Sequence, residues 1–177
     1  ETLNVGIGQG YFLATPMQLT LATASLANDG NTYTPHLLLG DKNNKTNEVS
    51  VYNYENNKFY TAMKDPHHLH IVKNAMWRVV NEKRVGTASH LKKVKNIEYA
   101  GKTGTAQVYN LDKGKTGTKS LQDHALFISY APFESPEIVV TVVVENGGGG
   151  STTAAPIARD IIEYYMDKKP TSVSMHE

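Results

Sequence analysis

The residue types best suited to chemistry gather in Tyr99-Ala100-Gly101-Lys102-Thr103-Gly104-Thr105-Ala106-Gln107-Val108. Between Gly101 and Thr105 stand a cation, two hydroxyls and two glycines. A carboxylate held there would meet a positive charge, hydroxyl donors and backbone N–H groups that glycine lets it approach closely. That combination suits an anionic, carbonyl-bearing substrate. The residues around it predict a strand that presents Lys102, and Thr103 to Thr105 through main-chain and hydroxyl groups, at the rim of a cleft. The plainer alternative is a lysine at a strand end with nothing bound.

The Lys-Thr-Gly-Thr string recurs at Lys115 to Thr118. Only the first copy is flanked by strand formers, Ile97 and Tyr99 before it and Val108 and Tyr109 after it. The second lies in Asp112-Lys113-Gly114-Lys115-Thr116-Gly117-Thr118-Lys119, a loop composition. Lys102 is therefore the candidate. Neither copy is a phosphate loop, because the glycine needed five positions before each Gly-Lys-Thr is Asn96 or Tyr109.

Other chemistry-bearing groups read more plainly. Ser89-His90-Leu91-Lys92 is formally Ser-x-x-Lys, but a nucleophilic serine needs the first turn of a buried helix with its lysine one turn on. The surrounding Lys92-Lys93-Val94-Lys95 is a solvated basic run, so the match is read as chance. His67, His68 and His70 are read as solvated histidines rather than a metal site, and neither metal nor cofactor is expected. In Val5-Gly6-Ile7-Gly8-Gln9-Gly10 the dinucleotide pattern fails, since Tyr11 and Leu13 stand where the third glycine belongs; a tight turn is expected.

The elements that must position the candidate strand follow from local signals. Thr15-Pro16-Met17-Gln18 opens a helix with an N-cap threonine, a first-turn proline and a glutamine placed to close a capping box. Its body, Leu19 to Ala27, is apolar on nearly every side, which predicts burial, and Asn28-Asp29-Gly30 ends it. Residues 31–64 are polar, with Val49-Ser50-Val51-Tyr52 the only strand-like alternation, and are expected to form a surface excursion or small hairpin. Asp65-Pro66 starts a second helix whose Leu69, Val72, Met76, Val79 and Val80 form a core stripe.

Ala125 to Ala131 and Ile138 to Glu145 read as strands. Their short connection at 132–137 makes them antiparallel neighbours, and apolar residues on both faces call for helices on each side. Asn146-Gly147-Gly148-Gly149-Gly150-Ser151 has the composition of a flexible linker. Pro156 begins a last helix with Ile157, Ile161, Tyr164 and Tyr165 on one face and Lys168 and Lys169 near its negative end. Residues 171–177 are expected to be a loose tail after a domain at 1–170.

At 177 residues and 40% hydrophobic, the chain suffices for one domain with a core. Eighteen basic residues against seventeen acidic ones, with lysines scattered, leave no field for nucleic acid or anionic lipid. The absence of cysteine excludes a disulfide scaffold and a thiolate metal site. The β-branched run Ile138 to Val144 is too short to cross a bilayer as a helix. A start at Glu1 without methionine suggests an internal fragment or a processed chain.

Several stretches taken together carry a family resemblance. They are Gly8-Gln9-Gly10, Ala14-Thr15-Pro16 with Gln18-Leu19, Leu26-Ala27-Asn28-Asp29-Gly30, Gly86-Thr87-Ala88, Ala100 to Gln107, and Ala154-Ala155-Pro156. In order and spacing they resemble the C-terminal half of the transpeptidase domain of a class B penicillin-binding protein. Lys102-Thr103-Gly104 matches the third element of the Ser-x-x-Lys, Ser-Asp-Asn and Lys-Thr-Gly signature that such proteins share with class A β-lactamases. Asp123-His124-Ala125 and Glu145-Asn146-Gly147-Gly148 resemble the elongation type, the penicillin-binding protein 2 group, more than the division type.

The resemblance implies an α/β fold of the α+β type, an antiparallel sheet covered by helices on both faces, of which this chain supplies the C-terminal part. It implies a serine-type peptidoglycan D,D-transpeptidase that cross-links stem peptides and is acylated by β-lactams. Lys102 would supply positive potential and help the proton network, and the hydroxyls of Thr103 and Thr105 would receive the substrate carboxylate. Thr105 N–H would form half of an oxyanion hole, Gly104 would allow close backbone approach, and Gln107 would lie at the substrate.

The family's Ser-x-x-Lys helix and Ser-x-Asn or Ser-x-Asp motif come earlier in sequence, and no serine here is followed two places on by Asn or Asp. The chain is thus expected to be inactive without the upstream part of the same protein. Implied partners are stem peptides, β-lactams, and the glycosyltransferase and scaffold proteins of the elongation complex. The implied location is the periplasmic side of an inner-membrane-anchored bacterial protein. Two alternatives stay open: a division-type transpeptidase, and a non-catalytic β-lactam-sensing module of the same fold.

Overall fold

Thr15 starts the helix that follows it as its sequence demands. Its hydroxyl accepts from Gln18 N–H at 3.2 Å while the Gln18 side chain accepts from Thr15 N–H at 2.8 Å, closing the capping box. Asp65 caps the helix that begins at Pro66 by a one-way bond, its carboxylate accepting from His67 N–H at 2.8 Å.

The computed structural model describes residues 6, 8, 13–52, 58–60, 65–107 and 122–168. The second Lys-Thr-Gly-Thr string, Gln9-Gly10, Val108-Tyr109 and the tail from residue 169 lie outside them. Along the chain come α1 (Pro16–Ala27), β1 (Asn31–Tyr33), β2 (Gly40–Lys42), β3 (Val49–Val51), β4 (Lys58–Tyr60), α2 (Pro66–Asn81), β5 (Ala100–Ala106), β6 (His124–Ala131), β7 (Ile138–Val144) and α3 (Ala155–Lys168). A π-helical turn, Gly150–Ala154, leads into α3.

β5, β6 and β7 form an antiparallel sheet in that order. Lys102 stands opposite Ile128 and Thr103 opposite Phe127, and these in turn face Thr141 and Val142. Because side chains alternate along a strand, the register sorts them onto two faces. One face carries Ala125, Phe127, Val140 and Val142 against Ala154, Ala155, Ala158 and Ile162 at the start of and along α3. The other carries Ala100, Tyr130, Ile128 and Val139 against Ala27 of α1 and Met76 of α2. Burying a side chain such as Phe127 or Ile162 contributes about 1.5–3 kcal/mol, so the sheet is held from both sides, as its two apolar faces require.

Two expectations need correction, and the packed side of the last helix is settled here. α1 is not buried all round: Thr23, Ser25 and Ala27 are buried, whereas Met17 is 52% exposed. It rests one side on β6 and β7, where Thr20 donates to Thr141 at 2.9 Å, and Thr23 bonds back to Leu19 O at 2.7 Å, hiding its polar atom within the helix. On α3 the packed stripe is Ala155, Ala158 and Ile162, while Ile157, Ile161 and Tyr164 face outward. Alanine lets the helix approach the sheet more closely than isoleucine or tyrosine would allow.

Residues 31–60 hold more pairing than one hairpin. β2 pairs with β3, and β1 pairs with the distant β4, Thr32 facing Phe59.

Candidate functional site

β5 is placed by contacts made to the two residues that lead into it. At the end of α2, Asn81 Nδ2 donates to Trp77 O and to Tyr99 O, both at 2.9 Å, fixing the residue that leads into the strand. Trp77 Nε1 donates to Glu98 Oε2 at 2.9 Å, and Phe133 N–H donates to Glu98 O at 2.8 Å. Tyr99 is buried, and that burial pushes its phenol up to about 12, with Arg159 pulling it down and Asp160 adding to the rise. Burial likewise raises the phenol of Tyr130, with Asp29 and Glu134 adding to the effect.

Two glycines let other parts of the molecule meet this strand. A Cβ on Gly101 would strike the Phe127 ring and lie 3.0 Å from Ile128 O. A Cβ on Gly150 would strike Gly104 O and Leu126 O and lie 3.0 Å from Gly104 N. The π-helical turn before α3 thus sits directly on the backbone of the Lys-Thr-Gly segment. Gly104 itself is less constrained from within, its Cβ falling 3.2 Å from Leu126 Cβ.

The glycine run is a hydrogen-bonded connector rather than the flexible linker its composition suggests. Asn146 N–H donates to His124 Nδ1 at 2.9 Å, Gly148 N–H to Asp123 O at 2.8 Å, and Thr153 Oγ1 to Gly147 O at 2.8 Å. Gly148 has φ +75°, a conformation that glycine adopts without strain. The bond to Asn146 N–H fixes His124 Nδ1 as an acceptor. These bonds join Asp123-His124 to Asn146-Gly147-Gly148 across the end of the sheet.

Lys102, Thr105 and Gln107 are exposed, and Thr103 and Gly104 are half-buried. Lys102 Nζ donates to Thr103 O at 2.6 Å, which folds the ammonium back over the strand. By register Lys102 lies on the α1 and α2 face, whereas Thr103 and Thr105 lie on the α3 face. β5 is an edge strand among the described residues, so charge, hydroxyls and a row of backbone groups converge on one open border. The expected cleft is not closed by the described residues. A cavity of about 480 Å³ lies elsewhere, among Asp29, Pro66, His70, Lys73 and Glu134.

The remaining sequence candidates are occupied differently. Ser89 stands in a turn and donates from Oγ to Gly86 O at 2.7 Å. His70 Nε2 is 2.9 Å from Asn74 Nδ2, and His68 Nε2 is 4.0 Å from Asp65. Among the described residues no cluster of His, Cys, Asp or Glu has the makings of a metal site, and no helix is long and apolar enough to cross a membrane.

Sequence reasoning did not assign a role to Thr87, whose Oγ1 lies 3.0 Å from Thr103 Oγ1, or to Gly150 and Asn81. Thr87 and the residues leading to Gly150 lie in stretches that carried the family resemblance, which was the available signal.

The penicillin binding protein transpeptidase domain family matches residues 1–163. The peptidoglycan D,D-transpeptidase MrdA of Haemophilus influenzae is 41% identical over 99% of this chain and 27% of that protein. MrdA of Acinetobacter baumannii is 35% identical over 100% of this chain and 26% of that protein. Among solved structures, Pseudomonas aeruginosa PBP2 in complex with WCK 5153 superposes with a TM-score of 0.72 at 36% identity, over 93% of this chain and 33% of that one. PBP2 of Helicobacter pylori, in a complex with MreC, gives 0.69 at 30% identity, over 95% of this chain and 28% of that one. The chain spans about a quarter of the length of the curated relatives it matches. Its sheet and the Lys-Thr-Gly edge strand occur within a match that runs nearly end to end in both sequence and fold, and the chain belongs to the penicillin-binding protein transpeptidase family.

Proposed function

We propose that this chain forms the Lys-Thr-Gly wall of an elongation-type peptidoglycan D,D-transpeptidase. The observation that carries the reading is the edge strand β5, on which Lys102, Thr103 and Thr105 meet an open row of backbone groups. An extended peptide with a terminal carboxylate can add to such an edge through main-chain hydrogen bonds while its charge is met by the cation and hydroxyls.

The serine that attacks belongs to the part of the protein this chain does not span. Its oxygen adds to the carbonyl of the penultimate D-alanine, the C–N bond to the last D-alanine breaks, and D-alanine leaves with the proton. An amine of a neighbouring stem then attacks the ester, restores the serine and leaves a new amide. Lys102 supplies positive potential while the oxyanion develops. Thr105 N–H donates to that oxyanion, and the hydroxyls of Thr103 and Thr105 hold the carboxylate, with Gln107 beside them. Gly104 keeps the backbone open to the ligand. β-Lactams enter as mimics of the donor and stop at the ester.

The MrdA names of the relatives support the elongation assignment, and the MreC complex of the Helicobacter pylori protein supports a scaffold partner. The same reading places the domain on the periplasmic side of an inner-membrane-anchored protein with an elongation glycosyltransferase at hand.

The test is release of D-alanine by the full-length protein from a stem-peptide donor, with and without an amine acceptor. Cross-linked product is expected. Acylation without transfer to any amine would overturn the enzyme in favour of a sensing module. Copurification with the division rather than the elongation glycosyltransferase would overturn the elongation assignment.

A further inference from the structure

A threonine hydroxyl has one proton to donate and lone pairs to accept with. Thr103 Oγ1 lies 3.0 Å from Thr87 Oγ1, and either oxygen can be the donor in the ligand-free site. A carboxylate removes that freedom, because it accepts only. For Thr103 to donate to a carboxylate, it must accept from Thr87.

Thr87 is built to stay where it is. Gly86 N–H donates to Glu82 O at 2.9 Å, and Ala88 N–H donates to Val79 O at 2.9 Å, so hydrogen bonds to the end of α2 grip the residues on either side. A Cβ on Gly86 would strike the carbonyls of Arg78 and Val79, which is why the loop can lie so close. Ala88 is fully buried in the core beneath α3. Thr103 is half-buried and β-branched, and rotation about its χ1 exchanges hydroxyl for methyl; a fixed partner selects the rotamer with the hydroxyl in place.

We propose that Thr87 is a positioning residue for the substrate carboxylate: its hydroxyl donates to Thr103 Oγ1 and reserves the single Thr103 proton for the ligand. This rests on the reading of Thr103 as a carboxylate-binding residue. The arrangement is a short relay, Thr87 O–H to Thr103 O–H to carboxylate, in which each bond polarises the next. Thr87 itself touches no substrate atom.

The experiment measures acylation of the full-length enzyme by a thioester donor ending in D-thiolactate, beside the same donor with its terminal carboxylate converted to carboxamide. Thr87→Val keeps shape and removes the hydroxyl; it is expected to slow acylation by the carboxylate donor about threefold to tenfold, the worth of one hydrogen bond. The carboxamide donor should change far less, the melting temperature should hold, and Thr87→Ser should restore the rate. An unchanged carboxylate rate in Thr87→Val, or equal losses with both donors, overturns the proposal. Thr103→Val separates it from the reading beneath: if that variant acylates normally, the carboxylate role of Thr103 fails as well, whereas a slow Thr103→Val beside a normal Thr87→Val removes the relay alone.

Discussion

The sheet β5–β6–β7 and the two ribbons of residues 31–60 are both antiparallel, yet they are held by different means. In the sheet, Ala100, Gly101, Ala125, Phe127, Tyr130 and Ala131 are buried, and both faces are covered. In the ribbons each strand has three residues, Thr32 is buried, and Val49, Val51 and Tyr60 are 64%, 58% and 61% exposed. Two-stranded pairing with so little of either face covered is marginal in water. Positional precision in this molecule therefore comes from what packs on a strand rather than from the strand pairing itself, and the Lys-Thr-Gly segment is the exposed border of a strand whose buried Ala100 and Gly101 anchor it to the covered sheet.

Substitutions can break or sharpen that contrast. The largest stability effect is expected from Gly101→Val, whose branches must enter the space of Phe127; a loss of roughly 3 kcal/mol or more should appear in chemical unfolding of the full-length protein. Gly150→Ala places one carbon against Gly104 O and should cost about 2 kcal/mol. It should also slow penicillin acylation, since the added carbon presses on the backbone of Gly104 in β5 as well as on Leu126 in β6. Normal stability and normal acylation in Gly150→Ala would mean that the turn before α3 does not support the site strand.

A smaller effect belongs to Tyr99. Its phenol titrates near 12 in the fold, whereas an unfolded tyrosine titrates near 10. The folded state therefore holds this proton more tightly. The stability it contributes, on the order of 1–3 kcal/mol, is fully present below about pH 10 and is lost as pH rises through about 12. Tyr99→Phe should make the fall in stability over that window shallower, as read by urea unfolding at successive pH values; an identical profile would place the alkaline sensitivity elsewhere. The smallest effect is expected on the ribbon. Val49→Thr should stay within about 0.5 kcal/mol of the parent, and a cost comparable to Gly150→Ala would erase the distinction between the two regions.

Much of the fold was legible because its signals are local. Thr15 and Gln18 announce their helix through a bond between them, and the two long apolar strands announce both their pairing and their need for cover on each side. What stayed hidden lay where packing overruled periodicity. Ile157, Ile161 and Tyr164 share a helical face, but the Ala155, Ala158 and Ile162 stripe takes the sheet because close approach favours small side chains. The pairing of β1 with β4 joins residues nearly thirty positions apart, as Asn31 facing Tyr60 shows, and no local alternation marks it. At the site, the types and order of Lys102, Thr103, Gly104 and Thr105 were visible at once. Their supports were not, since Thr87 and Thr103 are sixteen positions apart and Gly150 reaches Gly104 from beyond β7.

The central claim is that Lys102, rather than its counterpart in the second copy of the string, serves the acyl-transfer site. The direct measurement is the rate at which fluorescent penicillin labels the full-length enzyme carrying Lys102→Ala, beside the enzyme carrying Lys115→Ala. A loss on the order of a hundredfold or more is expected for Lys102→Ala and little change for Lys115→Ala. Undiminished labelling of Lys102→Ala, or equal losses in the two variants, would contradict the account.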